Sequence, residues 1–205
     1  MANTCCSWLK IKSFHFRSLM KITETSLPGL LIIEPRVFED SRGYFFESYQ
    51  EERYKEGGIN ASFIQDNESK SIRGVVRGLH YQLAPYAQAK LVRVIEGRVY
   101  DVAVDLRKGS PTFGKWFGLE LDGNSKKQLF VPRGFAHGFS VLSETAIFSY
   151  KCDNIYNKEA DRAMNPNDPE LKIDWMLGDT QPIISEKDLA APLYSEAEMN
   201  FIFEG

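Results

Sequence analysis

Residues 99–106 alternate strictly: Tyr100, Val102, Val104 and Leu106 fall on one side of an extended chain, and Val99, Asp101, Ala103 and Asp105 on the other. A period of two is the pleat of a β-strand. The run Leu91-Val92-Arg93-Val94-Ile95 precedes it across the turn signal Glu96-Gly97, so residues 90–107 are expected to form a hairpin. Further short strands are expected at residues 116–121, 128–131, 135–142 and 146–152, mostly separated by glycine or proline turns. Upstream, residues 30–34 read as an edge strand stopped by Pro35, and residues 44–49 as an aromatic strand with Phe45, Glu47 and Tyr49 on one face. Residues 50–55 suit one or two helical turns closed by Gly57-Gly58. Ser185 is placed as the N-cap of a helix carrying Glu186, Lys187 and Asp188, and residues 200–205 read as a loose end or a partner contact. So many short strands imply a mainly β sandwich or barrel with a few short helices.

The 205 residues suit one domain that can bury a real core. A net charge of -3 argues against a broad nucleic-acid surface, so any basic patch is local. No apolar stretch approaches the length of a membrane span. Cys5, Cys6 and Cys152 form neither a disulfide framework nor a metal spacing, which fits a reducing cytoplasm. Residues 1–19 are basic, free of acids and without the continuous apolar core of a secretory signal. They read as an N-terminal extension, from an over-early start, before a single domain over residues 20–205.

The chemistry concentrates in Arg73-Gly74-Val75-Val76-Arg77-Gly78-Leu79-His80-Tyr81-Gln82, followed by Lys90. In a regular strand Arg77 and Gly78 straddle a pleat, and His80, two beyond Gly78, shares the glycine's face. A cationic strand bearing one histidine suits an anionic substrate that must lose a proton; the alternative is a basic strand with a hydrogen-bonded core histidine.

The second such stretch is Phe130-Val131-Pro132-Arg133-Gly134-Phe135-Ala136-His137-Gly138-Phe139. Its Pro-x-Gly-x-x-His spacing resembles the second half-motif of cupins, which are double-stranded β-helices (jelly rolls). The metal-binding set of that superfamily is broken here, because Gln82 stands where a second histidine would and only His80 and His137 fall in the domain. A cupin barrel with no metal is expected. Arg77-Gly78-Leu79-His80-Tyr81-Gln82, Asp40-Ser41-Arg42-Gly43-Tyr44-Phe45-Phe46-Glu47, Gln65-Asp66-Asn67 and Pro132-Arg133-Gly134-Phe135-Ala136-His137-Gly138-Phe139 then narrow the resemblance. With Tyr150-Lys151-Cys152 and Ser185-Glu186-Lys187-Asp188, they resemble the dTDP-4-dehydrorhamnose 3,5-epimerase family, in order, from about residue 20 onward.

That resemblance implies cofactor-free epimerisation at carbons 3 and 5 of dTDP-4-dehydro-6-deoxy-D-glucose, giving dTDP-4-dehydro-L-rhamnose for L-rhamnose synthesis. It implies His80 as base, Asp188 as its carboxylate partner, Tyr150 as the acid on the opposite face and Lys90 as donor to the developing oxyanion. Arg42 and Arg77 are implied for the diphosphate; Glu47, Gln65, Asp66, Asn67, His137, Asp161 and Lys187 match further substrate contacts. Phe45 and Tyr156 could stack on thymine or sugar. A cytoplasmic homodimer is implied, with no nucleic acid or membrane partner. Both reacting carbons flank the ketone, so the ketone is the electron sink and no flavin, nicotinamide or metal is chemically required.

Each residue has a structural alternative: His137 as a satisfied core histidine, Asp188 as a helix-dipole partner, Tyr150 as core. The run Asn157-Lys158-Glu159-Ala160-Asp161-Arg162-Ala163 departs from the family, with Asp161 at a position usually Glu and Ala163 replacing a glycine. Three other functions are open: a single-centre epimerase, a sugar-nucleotide binding module and a metal-dependent cupin oxygenase, the last disfavoured by Gln82.

Overall fold

The computed structural model describes residues 20–204; the extension expected at residues 1–19 lies outside them. In chain order the elements are β1 (Met20–Glu24), β2 (Leu31–Pro35), β3 (Phe38–Asp40), β4 (Gly43–Phe45), α1 (Glu51–Glu56), β5 (Gln65–Ile72) and β6 (Val75–Gln82). Then follow β7 (Lys90–Glu96), β8 (Arg98–Asp105), β9 (Trp116–Asp122), β10 (Gln128–Val131), β11 (Phe135–Val141) and β12 (Thr145–Cys152). β13 (Asp161–Ala163), β14 (Ile183–Ile184) and α2 (Glu186–Leu189) complete the set, before a short 3₁₀ turn at Tyr194–Glu196.

The strands form two facing sheets, ordered β1-β2-β10-β7-β12-β5 and β13-β6-β11-β8-β9, with β14 parallel to β6. From β5 to β13 almost every connection carries the chain from one sheet to the other, which is the expected double-stranded β-helix. The β8–β9 link, which stays within one sheet, is a hairpin.

That topology corrects the hairpin expected at residues 90–107. β7 pairs with β10 and β12, whereas β8 pairs with β11 and β9, so Glu96-Gly97 turns a corner between sheets. Both strands are apolar on both faces, and each therefore needs neighbours and cover that a hairpin alone would not supply. Gly97, at φ +82°, makes the corner: a Cβ there would sit 2.1 Å from the Thr145 carbonyl oxygen.

Three more expectations change. β2 is not an edge, since β1 flanks it on one side and β10 on the other. The aromatic strand stops at Phe45: the Gln50 side chain caps α1 by accepting from the Arg53 N–H at 2.6 Å, which swings Tyr49 inward against Tyr54 and Phe63. Phe45 stays 71% exposed, so it and Tyr49 do not share a face. The tail is latched rather than loose. Phe201 is buried against Tyr81, and Asn200 exchanges two hydrogen bonds with the Ala84 backbone.

Burial follows the pleat. Between the sheets lie Val92, Val94, Val99, Ala103, Leu129, Phe139 and Phe148. On the outer face of the second sheet, Val102, Val104 and Leu106 pack under Met164, Leu171, Trp175 and Phe201 from the C-terminal segment. Leu31, Ile33, Leu91 and Phe130 on the first sheet are covered by Tyr54 and Ile59 around α1. Gly97→Ala should cost about 1–3 kcal/mol from overpacking at the corner, read by calorimetry as a Tm lowered by roughly 2–12 °C. An unchanged Tm would show that the corner is not tightly packed.

Candidate active site

The site begins with an irregularity in β6. Its pairing with β11 matches His137 to His80 and Phe139 to Arg77, so β6 carries one residue more than its partner over this interval. This is a β-bulge, and it shifts the side-chain alternation. Gly78 lies at it with φ +127°, and a Cβ there would approach the Gly138 Cα to 2.6 Å. As a result Arg77 and His80, three apart, line one cavity. The regular-strand expectation, which put His80 on the face opposite Arg77, is corrected by this bulge.

His80 Nε2 lies 2.8 Å from Asp188 Oδ1. Asp188 is delivered by α2, whose N-cap Ser185 accepts from the Asp188 N–H at 3.1 Å, and the Gly78 N–H points at the second carboxylate oxygen at 3.5 Å. Asp188 is 4% exposed. Burial by itself would raise its carboxyl, but the His80 hydrogen bond and charge, with Gly78 and Ser185, hold it below the usual carboxylate range. A carboxylate on Nε2 leaves Nδ1 as the nitrogen available to abstract a proton.

Opposite His80, on the first sheet, stand Lys90 at the start of β7 and Tyr150 on β12; all three line one cleft of about 350 Å³. Enclosure pushes the Lys90 ammonium below its ordinary pKa, against the pull of Cys152, Asp101 and Asp161. Its hydrogen bond is to the His80 carbonyl oxygen, at a long 3.5 Å, and its ammonium lies 5.9 Å from the Tyr150 ring centre. Burial raises the Tyr150 hydroxyl, with Cys152 adding to it and Arg77 opposing, so this group is a proton donor at neutral pH.

Gln65, Asn67, Tyr156, Asp161 and Lys187 complete the cleft wall. Gln65 donates to the Asn67 side-chain oxygen at 3.0 Å, and Lys187 pairs with Asp161 at 2.9 Å. Arg77 donates to Ser71 at 3.1 Å, and His137 lines the adjoining cavity that shares His80, Lys90 and Tyr150 with the first. Three expected contacts lie elsewhere in this chain. Asp66 follows the β5 alternation to the other face and pairs with Lys151; Arg42 is held by Asp40 in the exposed β3–β4 hairpin; Glu47 pairs with Arg53 beside α1.

Two residues with roles here were not singled out from the sequence. Gln82, noted only for not being histidine, donates to the Tyr86 and Ile155 carbonyls and accepts from the Asn157 N–H, bracing the loop that carries Tyr156. Asp101 bonds His137; its signal was an acid flanked by Val99 and Ala103 on one face of a mostly apolar strand. Among the described residues no three His, Cys, Asp or Glu side chains converge as a metal site would need.

Residues 24–196 match the family model for dTDP-4-dehydrorhamnose 3,5-epimerase. The curated dTDP-4-dehydrorhamnose 3,5-epimerase of Pseudomonas aeruginosa is 53% identical over 180 residues, covering 87% of this chain and 98% of its own. A crystal structure of the enzyme of that name from Elizabethkingia anophelis superposes with a TM-score of 0.83 at 57% identity, over 87% of this chain and 98% of that one. The dTDP-6-deoxy-D-glucose-3,5-epimerase of Legionella pneumophila, solved with dTDP-4-keto-L-rhamnose, superposes with a TM-score of 0.83 at 51% identity, over 86% of this chain and 94% of that one. The bulged strand with its His–Asp pair, the facing tyrosine and lysine and these similarities agree: the chain belongs to the dTDP-4-dehydrorhamnose 3,5-epimerase family.

Proposed function

We propose that this protein epimerises dTDP-4-dehydro-6-deoxy-D-glucose at carbons 3 and 5, giving dTDP-4-dehydro-L-rhamnose. The observation that carries the reading is the pairing of His80 with Asp188 on one sheet, facing Tyr150 on the other across a shared cleft. Nδ1 of His80 removes the proton alpha to the ketone, and Asp188 fixes the tautomer and stabilises the imidazolium that forms. The electron pair moves onto the ketone oxygen as an enolate, to which Lys90 donates. Tyr150 returns a proton from the opposite face, which inverts the centre. Arg77, Gln65, Asn67, Asp161 and Lys187 bind the nucleotide sugar, and Arg77 is suited to the diphosphate. The place of β1 at the edge of the first sheet among the described residues, and the exposed apolar hairpin side chains Phe38, Tyr44 and Phe45, support pairing with a second copy. Among the described residues no helix is long and apolar enough to cross a membrane.

His80→Asn should lower kcat by about 10²–10⁴, while dTDP affinity by calorimetry and the Tm stay at wild-type values. Near-normal turnover in that variant would remove His80 as the base. Lys90→Met should lower kcat by about 10²–10³ and yet leave the Tm unchanged or higher, because it replaces a poorly paired, enclosed ammonium with an apolar side chain. A Tm several degrees lower would mean that Lys90 is structural. Light scattering at working concentration should give the mass of a dimer; a monomer would contradict the pairing.

A further inference from the structure

Asp101 lies on β8 between Val99 and Ala103, both part of the core between the sheets, and its side chain is 0% exposed. Both of its carboxylate oxygens are 3.0 Å from Nε2 of His137. The His137 ring stacks on Phe148, with centroids 6.0 Å apart and planes 24° from parallel. Two oxygens equidistant from one ring nitrogen is the geometry of an N–H shared between the acceptors of a carboxylate, so Nε2 carries the proton. Among the described residues no buried side-chain nitrogen or oxygen is without a hydrogen-bond partner. The hydrogen bonds of His137 are made through Nε2, so Nδ1 opens onto the cavity that His137 lines with Arg77, Lys90 and Tyr150.

The arrangement repeats the one at His80. His80 and His137 are paired residues of β6 and β11, and each presents Nε2 to a buried aspartate from another element. Burial holds the Asp101 carboxyl above its ordinary pKa, with the neighbouring His137 and Lys90 opposing the rise. The surrounding cationic side chains, Lys90 and Arg77, can only donate, whereas the sugar of a 4-keto-6-deoxyhexose brings hydroxyl donors of its own that need an acceptor.

We propose that Asp101 is a positioning residue of this site: it locks His137 in the Nε2–H tautomer, so that the Nδ1 lone pair accepts a hydrogen bond from a hydroxyl of the bound sugar. This rests on the reading of the cleft as a sugar-nucleotide site. Asp101 touches no substrate; it acts through His137.

The test combines imidazole ¹⁵N NMR of the wild-type protein with a double-mutant cycle. In the resting protein at neutral pH, His137 should show a protonated Nε2 and an unprotonated Nδ1. The Nδ1 signal should move on adding dTDP-glucose but not dTDP. A protonated Nδ1, or a signal indifferent to the sugar, would overturn the proposal. Asp101→Asn and His137→Gln should each lower kcat/KM by about tenfold to a hundredfold, and the double variant should lose no more than the worse single one. Independent, multiplying losses would show that Asp101 does not act through His137. If Asp101→Asn fails to fold, the wild-type spectrum still decides. Absence of wild-type turnover would count against the epimerase reading alone, because the tautomer and its response to the sugar are read without catalysis.

Discussion

The hydrogen bond between His80 and Asp188 joins residues 108 apart, and much of the C-terminal third exists to close that distance. β13 pairs with β6 at His80–Gln82, and β14 runs parallel to it at Val75 and Val76. Between those two attachments the chain lays Met164, Leu171 and Trp175 over the outer face of the second sheet. The apolar energy of that cover holds α2 in place, so a buried carboxylate can be kept on an imidazole without a long flexible tether.

The interior between the sheets is divided along the strands. On β7, Val92 and Val94 belong to the core, whereas Lys90, on the same face and two residues earlier, lines the cleft. On β12, Phe148 is core and Tyr150 borders the cavity. The pleat thus sets an apolar floor beneath a polar mouth with no change of element. Most polar groups there are satisfied by partners; among the described residues Lys90 is enclosed with one long hydrogen bond and no ion pair. A desolvated cation held in this way is costly to folding and suited to a charge that develops only during reaction.

Much of this was legible in the sequence. The strands at residues 128–131 and 146–152, the Ser185 cap and the motif resemblance all rest on local patterns of a few residues, which local physics controls. Three features were not. Glu96-Gly97 reads as a hairpin turn because the pattern is the same for a corner between sheets; only the partners of β7 and β8 distinguish them. The bulge at Gly78 breaks the period of two, and no periodic reading can find the residue at which it fails. Asp101 lies in a strand where an acid could equally have faced solvent, and its partner stands 36 residues away.

The most direct measurement is proton NMR of dTDP-4-dehydro-6-deoxyglucose incubated with the protein in heavy water. Deuterium should enter at both carbon 3 and carbon 5 as the L-rhamno product forms. Exchange confined to one carbon would contradict a 3,5-epimerase in favour of a single-centre enzyme. Ligand line broadening with no exchange at either carbon would leave a binding module and contradict the catalytic account.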